Sequence, residues 1–346
     1  MELDTRKMQI LKAIIDEYVI SATPVGSRSI SRLEGFHISS ATIRNEMSDL
    51  EEMGYLEQPH TSAGRIPSDK AYRLYVNSIM NRASLTKEEI TSIRSHFITR
   101  IDEIESVMKQ TAQALSAATN YTSMVLPPML AANRLKHLQM VPLGDGRALL
   151  VVVTDAGFAR DAVIRIPDDM RADELEQLSR KLTGQYKGCR MDIVGDRIVS
   201  EMSAEMQDRR LFLNSIVETI ERRISPTANS VELSGATNIL HYPEYADMNK
   251  AKTFLAAVEG KEALYSMLKK ASTLEFTITI GSENEHEQLK DCSILTATYR
   301  AGDTPLGSFG IIGPTRMHYS KVFSVMEYMR LCLGELLTNY IEEEKR

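Results

Sequence analysis

Between positions 39 and 48 the chain places Ser39, Ser40, Thr42, Arg44, Asn45 and Ser48, a set of hydroxyl, guanidinium and carboxamide groups close together in sequence. Such groups match the edges of nucleic-acid bases: Arg pairs bidentately with guanine, Asn with adenine, and Ser or Thr serves either. Farther along, His60 and Arg65 add an imidazole and a second guanidinium that can meet a phosphate or enter a minor groove. Other clusters carry less. Glu283, Glu285, His286 and Glu287 have metal-binding chemistry, but neighbours on an extended segment point to opposite faces, so a solvated loop is expected and no metal. Gly307, Gly310 and Gly313 lack the Lys-Ser/Thr ending of a phosphate loop and the dinucleotide fingerprint, so they are expected to serve packing or turns and no cofactor is expected. Arg316 is expected in a structural ion pair. No serine sits in a glycine elbow, no HExxH occurs and no cysteine has a matched partner, so an enzyme is not expected.

The first group depends on a helix to position it. At about 100° per residue, Ile43, Met47 and Leu50 fall within one narrow arc, with Ala41, Asn45 and Ser48 opposite, flanked by Thr42 and Arg44. Asp49 and Glu52 are expected on the outward face farther along. Ser39 and Ser40 supply side-chain oxygens at the helix start, and Gly54 closes it after Met53. Upstream, Ile10, Leu11, Ile14, Ile15, Tyr18 and Val19 form a helical stripe over about Thr5 to Val19. Thr23 and Pro24 break it, and a short helix over about Val25 to Leu33 is expected before the turn Gly35 to Ile38. Two short helices across a glycine-bearing turn have the shape of a helix-turn-helix. Tyr55 to Pro67 then gives two extended pieces around a small glycine-containing tip, the pattern of a hairpin wing, and a helix from near Ser68 buries Tyr72, Tyr75, Val76 and Ile79.

The 346 residues are 43% hydrophobic and 25% charged, with a net charge of −6. Residues 1–82 hold ten Lys or Arg against eleven Asp or Glu, so the deficit sits mainly outside the region that could meet a polyanion. No apolar run approaches the roughly 18 residues of a membrane span, and the charged opening of the chain lacks the pattern of a secretory signal, so no membrane partner and a cytoplasmic location are expected. Cys189, Cys292 and Cys332 are odd in number and widely separated, against a disulfide framework or zinc site.

The run Ser39-Ser40-Ala41-Thr42-Ile43-Arg44-Asn45-Glu46-Met47 and the run Gln58-Pro59-His60-Thr61-Ser62-Ala63-Gly64-Arg65-Ile66-Pro67 resemble the HrcA family of heat-inducible transcription repressors. Gly281-Ser282-Glu283-Asn284 and Gly313-Pro314-Thr315-Arg316-Met317-His318-Tyr319 match the same family, in order and far away, so the resemblance spans nearly the whole chain. It implies a repressor of heat-shock chaperone operons that binds an inverted-repeat operator in double-stranded DNA as a homodimer and is kept active by the chaperonin GroEL. It further implies a GAF-like sheet domain with an inserted dimerisation domain.

The expected fold is α+β and multidomain. A winged helix-turn-helix covers 1–82. A long connecting helix covers 83–120, where Ile90, Ile93, Phe97, Ile101, Ile104, Met108 and Leu115 keep helical spacing. The GAF-like antiparallel sheet occupies 121–167 and 235–346, its early strands His137 to Leu143, Ala148 to Thr154 and Arg160 to Ile166 joining late ones in one sheet. The mostly helical insert fills 168–234, with Ser225-Pro226-Thr227 as a boundary. Within this frame Thr42, Arg44, Asn45 and Ser48 would read sequence, and Ser39, Ser40, His60 and Arg65 would hold backbone or minor groove. An alternative is a regulator whose GAF-like domain senses a small molecule.

Overall fold

A computed structural model describes residues 3–60, 64–96, 104–128, 134–155, 159–202, 210–224, 231–271 and 273–344. Helix α1 (Thr5–Ser21) starts where the Asp4 carboxylate accepts the Lys7 N–H, and ends at Ala22 in the left-handed region. Its buried side is Ile10, Leu11, Ile14, Ile15 and Val19. Helix α2 (Ser27–Ile30) is a single turn, shorter than the span to Leu33 expected from pattern. Beyond it Leu33 N–H bonds Ile30 and Phe36 N–H bonds Leu33, so the chain makes successive tight turns into Gly35 at φ +84°.

Helix α3 (Ser40–Glu52) is capped by the Ser39 hydroxyl, which accepts the Thr42 N–H at 3.1 Å. Ile43, Met47 and Leu50 are buried on its inner arc. Strands β1 (Leu56–Glu57) and β2 (Ile66–Pro67) pair antiparallel, and Arg65 adds a bridge to Val25. Gly64 makes that bridge possible, since a Cβ there would stand 2.3 Å from the Val25 carbonyl oxygen. Helix α4 (Asp69–Leu74) begins on the Ser68 cap and runs into a π-helical turn over Tyr75–Ile79.

Helices α5 (Lys87–Ser95) and α6 (Ile104–Thr119) stand in place of the single connecting helix expected from the spacing. They pack against each other, which one straight helix could not do; 97–103, with Phe97 and Ile101, lie outside the described residues.

The remaining elements are β3 (Thr122–Leu126), β4 (Leu135–Gly144), β5 (Arg147–Thr154), β6 (Ala159–Arg165), α7 (Ala172–Tyr186), α8 (Met191–Met202), α9 (Arg210–Ile224), β7 (Glu232–Ser234), α10 (Met248–Glu259), α11 (Glu262–Ala271), β8 (Phe276–Ile280), β9 (Cys292–Ala301), β10 (Thr304–Pro314) and α12 (Tyr319–Glu344). A five-stranded antiparallel sheet has the order β7-β3-β10-β9-β8. One face meets α6 and α12 through Val125, Tyr299, Phe309 and Ile311; the other meets α10 and α11 through Met124, Ile294 and Ile312. Covered on both faces, its central strands are buried almost along their whole length, polar residues such as Ser123, Thr296 and Thr298 included.

The expectation of one interrupted sheet is corrected. Strands β4, β5 and β6 pair only with one another in a separate three-stranded antiparallel sheet, and α7, α8 and α9 close one face of it. The early partners of the late strands are instead β3 and β7. Local alternation identifies strands, but their partners are chosen by long-range packing, and this meander has its own core of Leu138, Leu150, Leu182, Val194 and Ile216.

Candidate nucleic-acid interface

The cap and the buried arc together fix which side of α3 faces solvent. Arg44, Asn45 and Ser48 are exposed, with Ala41 beside them. Ser39 is exposed, while Ser40 and Thr42 are half-buried. The Thr42 hydroxyl lies 2.9 Å from that of Ser39, so both share the capping network and leave Arg44, Asn45 and Ser48 as the least committed donors and acceptors.

Helix α3 also carries Glu46, Asp49, Glu51 and Glu52, which would repel a polyanion if bare. The fold matches three of them with cations. Lys7 of α1 places Nζ 2.6 Å from Glu46 and 2.9 Å from Asp49, and Arg6 approaches Glu46 at 3.7 Å. The hydrogen bonds to Glu46 first and Asp49 second push the Lys7 ammonium above its ordinary value, which keeps it charged. Asp49, expected on the outward face, is therefore drawn sideways against α1. Glu52 remains exposed at the far end of the helix.

Arg65 is placed differently from a free cation on a hairpin tip. Its Nε donates to Glu51 at 2.9 Å and its Nη2 lies 2.8 Å from the same carboxylate oxygen. It ties the hairpin to α3 and neutralises a third carboxylate. His60 is exposed at the entrance to the tip, and Thr61, Ser62 and Ala63 lie outside the described residues. Two cations that the sequence reading passed over also matter. Arg28 and Arg32 are both exposed, on α2 and one turn beyond it, and their four-residue spacing is the signal that could have found them.

The other expected clusters are absorbed by the fold. Glu283 pairs with Arg73, Glu285 with Lys270 at 2.7 Å and Glu287 with Lys290 at 2.6 Å. Among the described residues no His, Cys, Asp and Glu are grouped as a metal site, and no helix is long and apolar enough to cross a membrane. Gly310 packs against Met124 and Gly313 against Tyr121. Arg316, its side chain 8% exposed, pairs with Glu244 and donates to the Val19 carbonyl at 2.9 Å. Tyr72 is core, 1% exposed.

Residues 105–323 match the family model described as HrcA protein C terminal domain. A heat-inducible transcription repressor HrcA from Ruminiclostridium cellulolyticum is 44% identical over 95% of this chain and 96% of that protein. The protein of the same name from Acetivibrio thermocellus is 42% identical over 99% of each. A solved structure described as a hypothetical protein at 2.2 Å resolution shares the fold, with TM-score 0.65 and 22% identity over 98% of this chain and 100% of that one. With relatives matched over 95% or more of the chain and a family model covering residues 105–323, the chain belongs to the HrcA family of heat-inducible transcription repressors.

Proposed function

We propose that the chain represses heat-shock chaperone operons by binding, as a homodimer, an inverted-repeat operator, with α1 to α4 and the β1–β2 hairpin acting as a winged helix-turn-helix. The observation that carries this is the combination on α3: Arg44, Asn45 and Ser48 exposed at its N-terminal half, and three of its four carboxylates, Glu46, Asp49 and Glu51, matched by Lys7, Arg6 and Arg65. A recognition helix presents its first turns to base edges, as this arrangement allows. Thr42 stands at the margin of that surface. Ser39, Ser40 and His60 would hold the backbone beside it, and Arg65 would act by holding the wing on α3. Arg28 of the first helix of the motif and Arg32 just beyond it add phosphate contacts.

The homodimer finds support in the open face of the three-stranded sheet. Val141, Leu149 and Val163 form one cross-strand row there, with Val141 41% and Val163 57% exposed. A contiguous apolar surface of this kind marks an association site, and a second copy meets it through two-fold symmetry. In this reading the dimerisation unit comprises β4 to β6 with α7 to α9, and the GAF-like domain is the five-stranded sheet with its helices. The resemblance adds the chaperonin GroEL as the partner that maintains the active fold, and an uncovered apolar face is what such a partner would bind in a monomer. A gel shift against an inverted repeat from a chaperone promoter, at several salt concentrations, tests the reading: a steep loss of affinity with salt is expected, and no shift at low salt would refute it.

A second reading, small-molecule sensing, is favoured by a cavity of about 230 Å³ between α11 and β8, lined by Met267, Leu274, Thr277, Asn284 and Ile294 among others. Thermal shift against cell metabolites, followed by a gel shift with any hit, tests it; the absence of any hit would leave it without support.

A further inference from the structure

We propose that Asp69 and Arg73 of α4 form a latch that holds the DNA-reading unit at one position on the five-stranded sheet, and that this latch sets the half-site spacing read by the dimer. The inference rests on the operator-binding reading above and assigns a task to the distant Gly281-Ser282-Glu283 motif. Asp69 and Arg73 lie one helical turn apart on the same side of α4. The Asp69 carboxylate accepts the Ser282 N–H at 2.8 Å and the Ser282 hydroxyl at 2.9 Å. The Arg73 Nε donates to Glu283 at 2.8 Å, its Nη2 reaches the second oxygen of that carboxylate, and the same Nη2 donates to the Ile278 carbonyl at 2.7 Å. A bidentate pair of this kind fixes angle as well as distance.

The turn is shaped for the contact. Gly281 adopts φ +54°, and a Cβ at that position would lie 2.1 Å from an Asp69 oxygen. Glu283 also accepts the Ile280 N–H at 2.8 Å, which holds its carboxylate toward α4. A second anchor is Arg316, which donates to the Val19 carbonyl near the end of α1. That carbonyl lies in the last turn of the helix, where acceptors lack intrahelical donors and a cation is favoured. The segment 81–86 completes the attachment to α12, with Ser324 donating to Ala83 at 2.7 Å and Arg82 3.1 Å from Glu327.

The latch is the polar part of a wider attachment. With it freed, the unit would still bear on the sheet domain through the Arg316–Val19 hydrogen bond and the Tyr72–Tyr319 ring contact, 5.8 Å between centroids, and the latch adds the directional bonds that set its angle there. Half-sites of a dimeric operator are about 34 to 36 Å apart, so a change in that angle shifts the separation at which two units meet successive major grooves. Neither Asp69 nor Arg73 is bonded to α3 in this structure, so loosening the latch leaves the reading surface itself unaltered.

The test uses the full chain with Asp69 and Arg73 both changed to Ala, beside Arg73→Lys, which keeps the charge but not the fork. Each is titrated against inverted repeats whose central spacer varies by up to about five base pairs, half a helical turn, and against a single half-site. The wild type is expected to prefer one spacer. The double variant is expected to bind the half-site as the wild type does while its preference among spacers falls by about tenfold or more, with Arg73→Lys in between. Limited proteolysis supplies a readout independent of DNA, with cleavage in 81–86 expected to be faster in the double variant. A wild-type spacer profile in the double variant, or unchanged cleavage at 81–86, overturns the latch. Failure of the wild type to bind any inverted repeat overturns the operator reading beneath it, whatever the proteolysis shows.

Discussion

Lys7 of α1 and Glu46 of α3 face each other at 2.6 Å, with side chains 11% and 13% exposed. The same ammonium holds Asp49. One cation thus joins the first helix to the candidate reading helix and, with Arg6 at 3.7 Å from Glu46, offsets two negative charges at the side of a surface proposed to approach phosphates.

Replacing Lys7 by Met should bare Asp49 and leave Glu46 with only the longer Arg6 contact, while keeping the apolar stem packed. Operator affinity is expected to fall on the order of tenfold at low salt, with the deficit shrinking as salt rises because the restored repulsion is screened. Affinity measured across a salt series checks this; a deficit independent of salt would point to a packing defect instead.

Arg28→Ala and Arg32→Ala should each weaken binding to matched and mismatched sequences alike. If each contacts one phosphate, the slope of log affinity against log salt should drop by about one per substitution. A change in sequence preference with an unchanged slope would contradict the assignment.

The start of α3 separates folding from binding. Ile43 is fully buried, so Ile43→Ala should cost about 2 to 5 kcal/mol, seen as a lower midpoint in chemical unfolding. Ser39→Ala removes the cap acceptor and should cost about 1 kcal/mol. Any further loss of operator affinity in Ser39→Ala, at temperatures where the variant is fully folded, measures its contact with DNA.

Much of this first unit is legible in sequence because its signals are local. Ser39 and Gly54 bracket α3, and the positions of Ile43, Met47 and Leu50 fix its rotation. The partnerships of its charges are not legible. Glu51 and Arg65 meet only because the hairpin folds back on α3, and Arg73 meets Glu283 across 210 positions. Sheet membership fails for the same reason: every residue of β3 is buried, so alternation passes over it, while the regular alternation of β5 belongs to a different sheet.

Val163→Lys tests the dimer. If the proposed dimer forms through this face, a charge placed in the row with Leu149 and Val141 should shift the protein toward monomer in sedimentation relative to the wild type. A profile identical to that of the wild type would contradict the proposed contact.

Acid should act on the latch. Burial pushes the Glu283 carboxyl up, but the hydrogen bonds from the Arg73 guanidinium and the Ile280 N–H outweigh it, leaving the group below its ordinary value. Such a group contributes stability above the unfolded carboxylate value of about 4.3, and that contribution is lost as pH falls through the lower folded value. Cleavage at 81–86 is expected to accelerate on that acid limb in the wild type, and to depend less on pH in Glu283→Gln.

The central claim, that the exposed N-terminal half of α3 reads base edges, is tested most directly by the affinity of Arg44→Ala for the operator and for unrelated duplex DNA under one salt condition. A loss of about 1 to 3 kcal/mol on the operator with little change on unrelated DNA is predicted. Equal operator affinity for the folded variant and the wild type would contradict the claim.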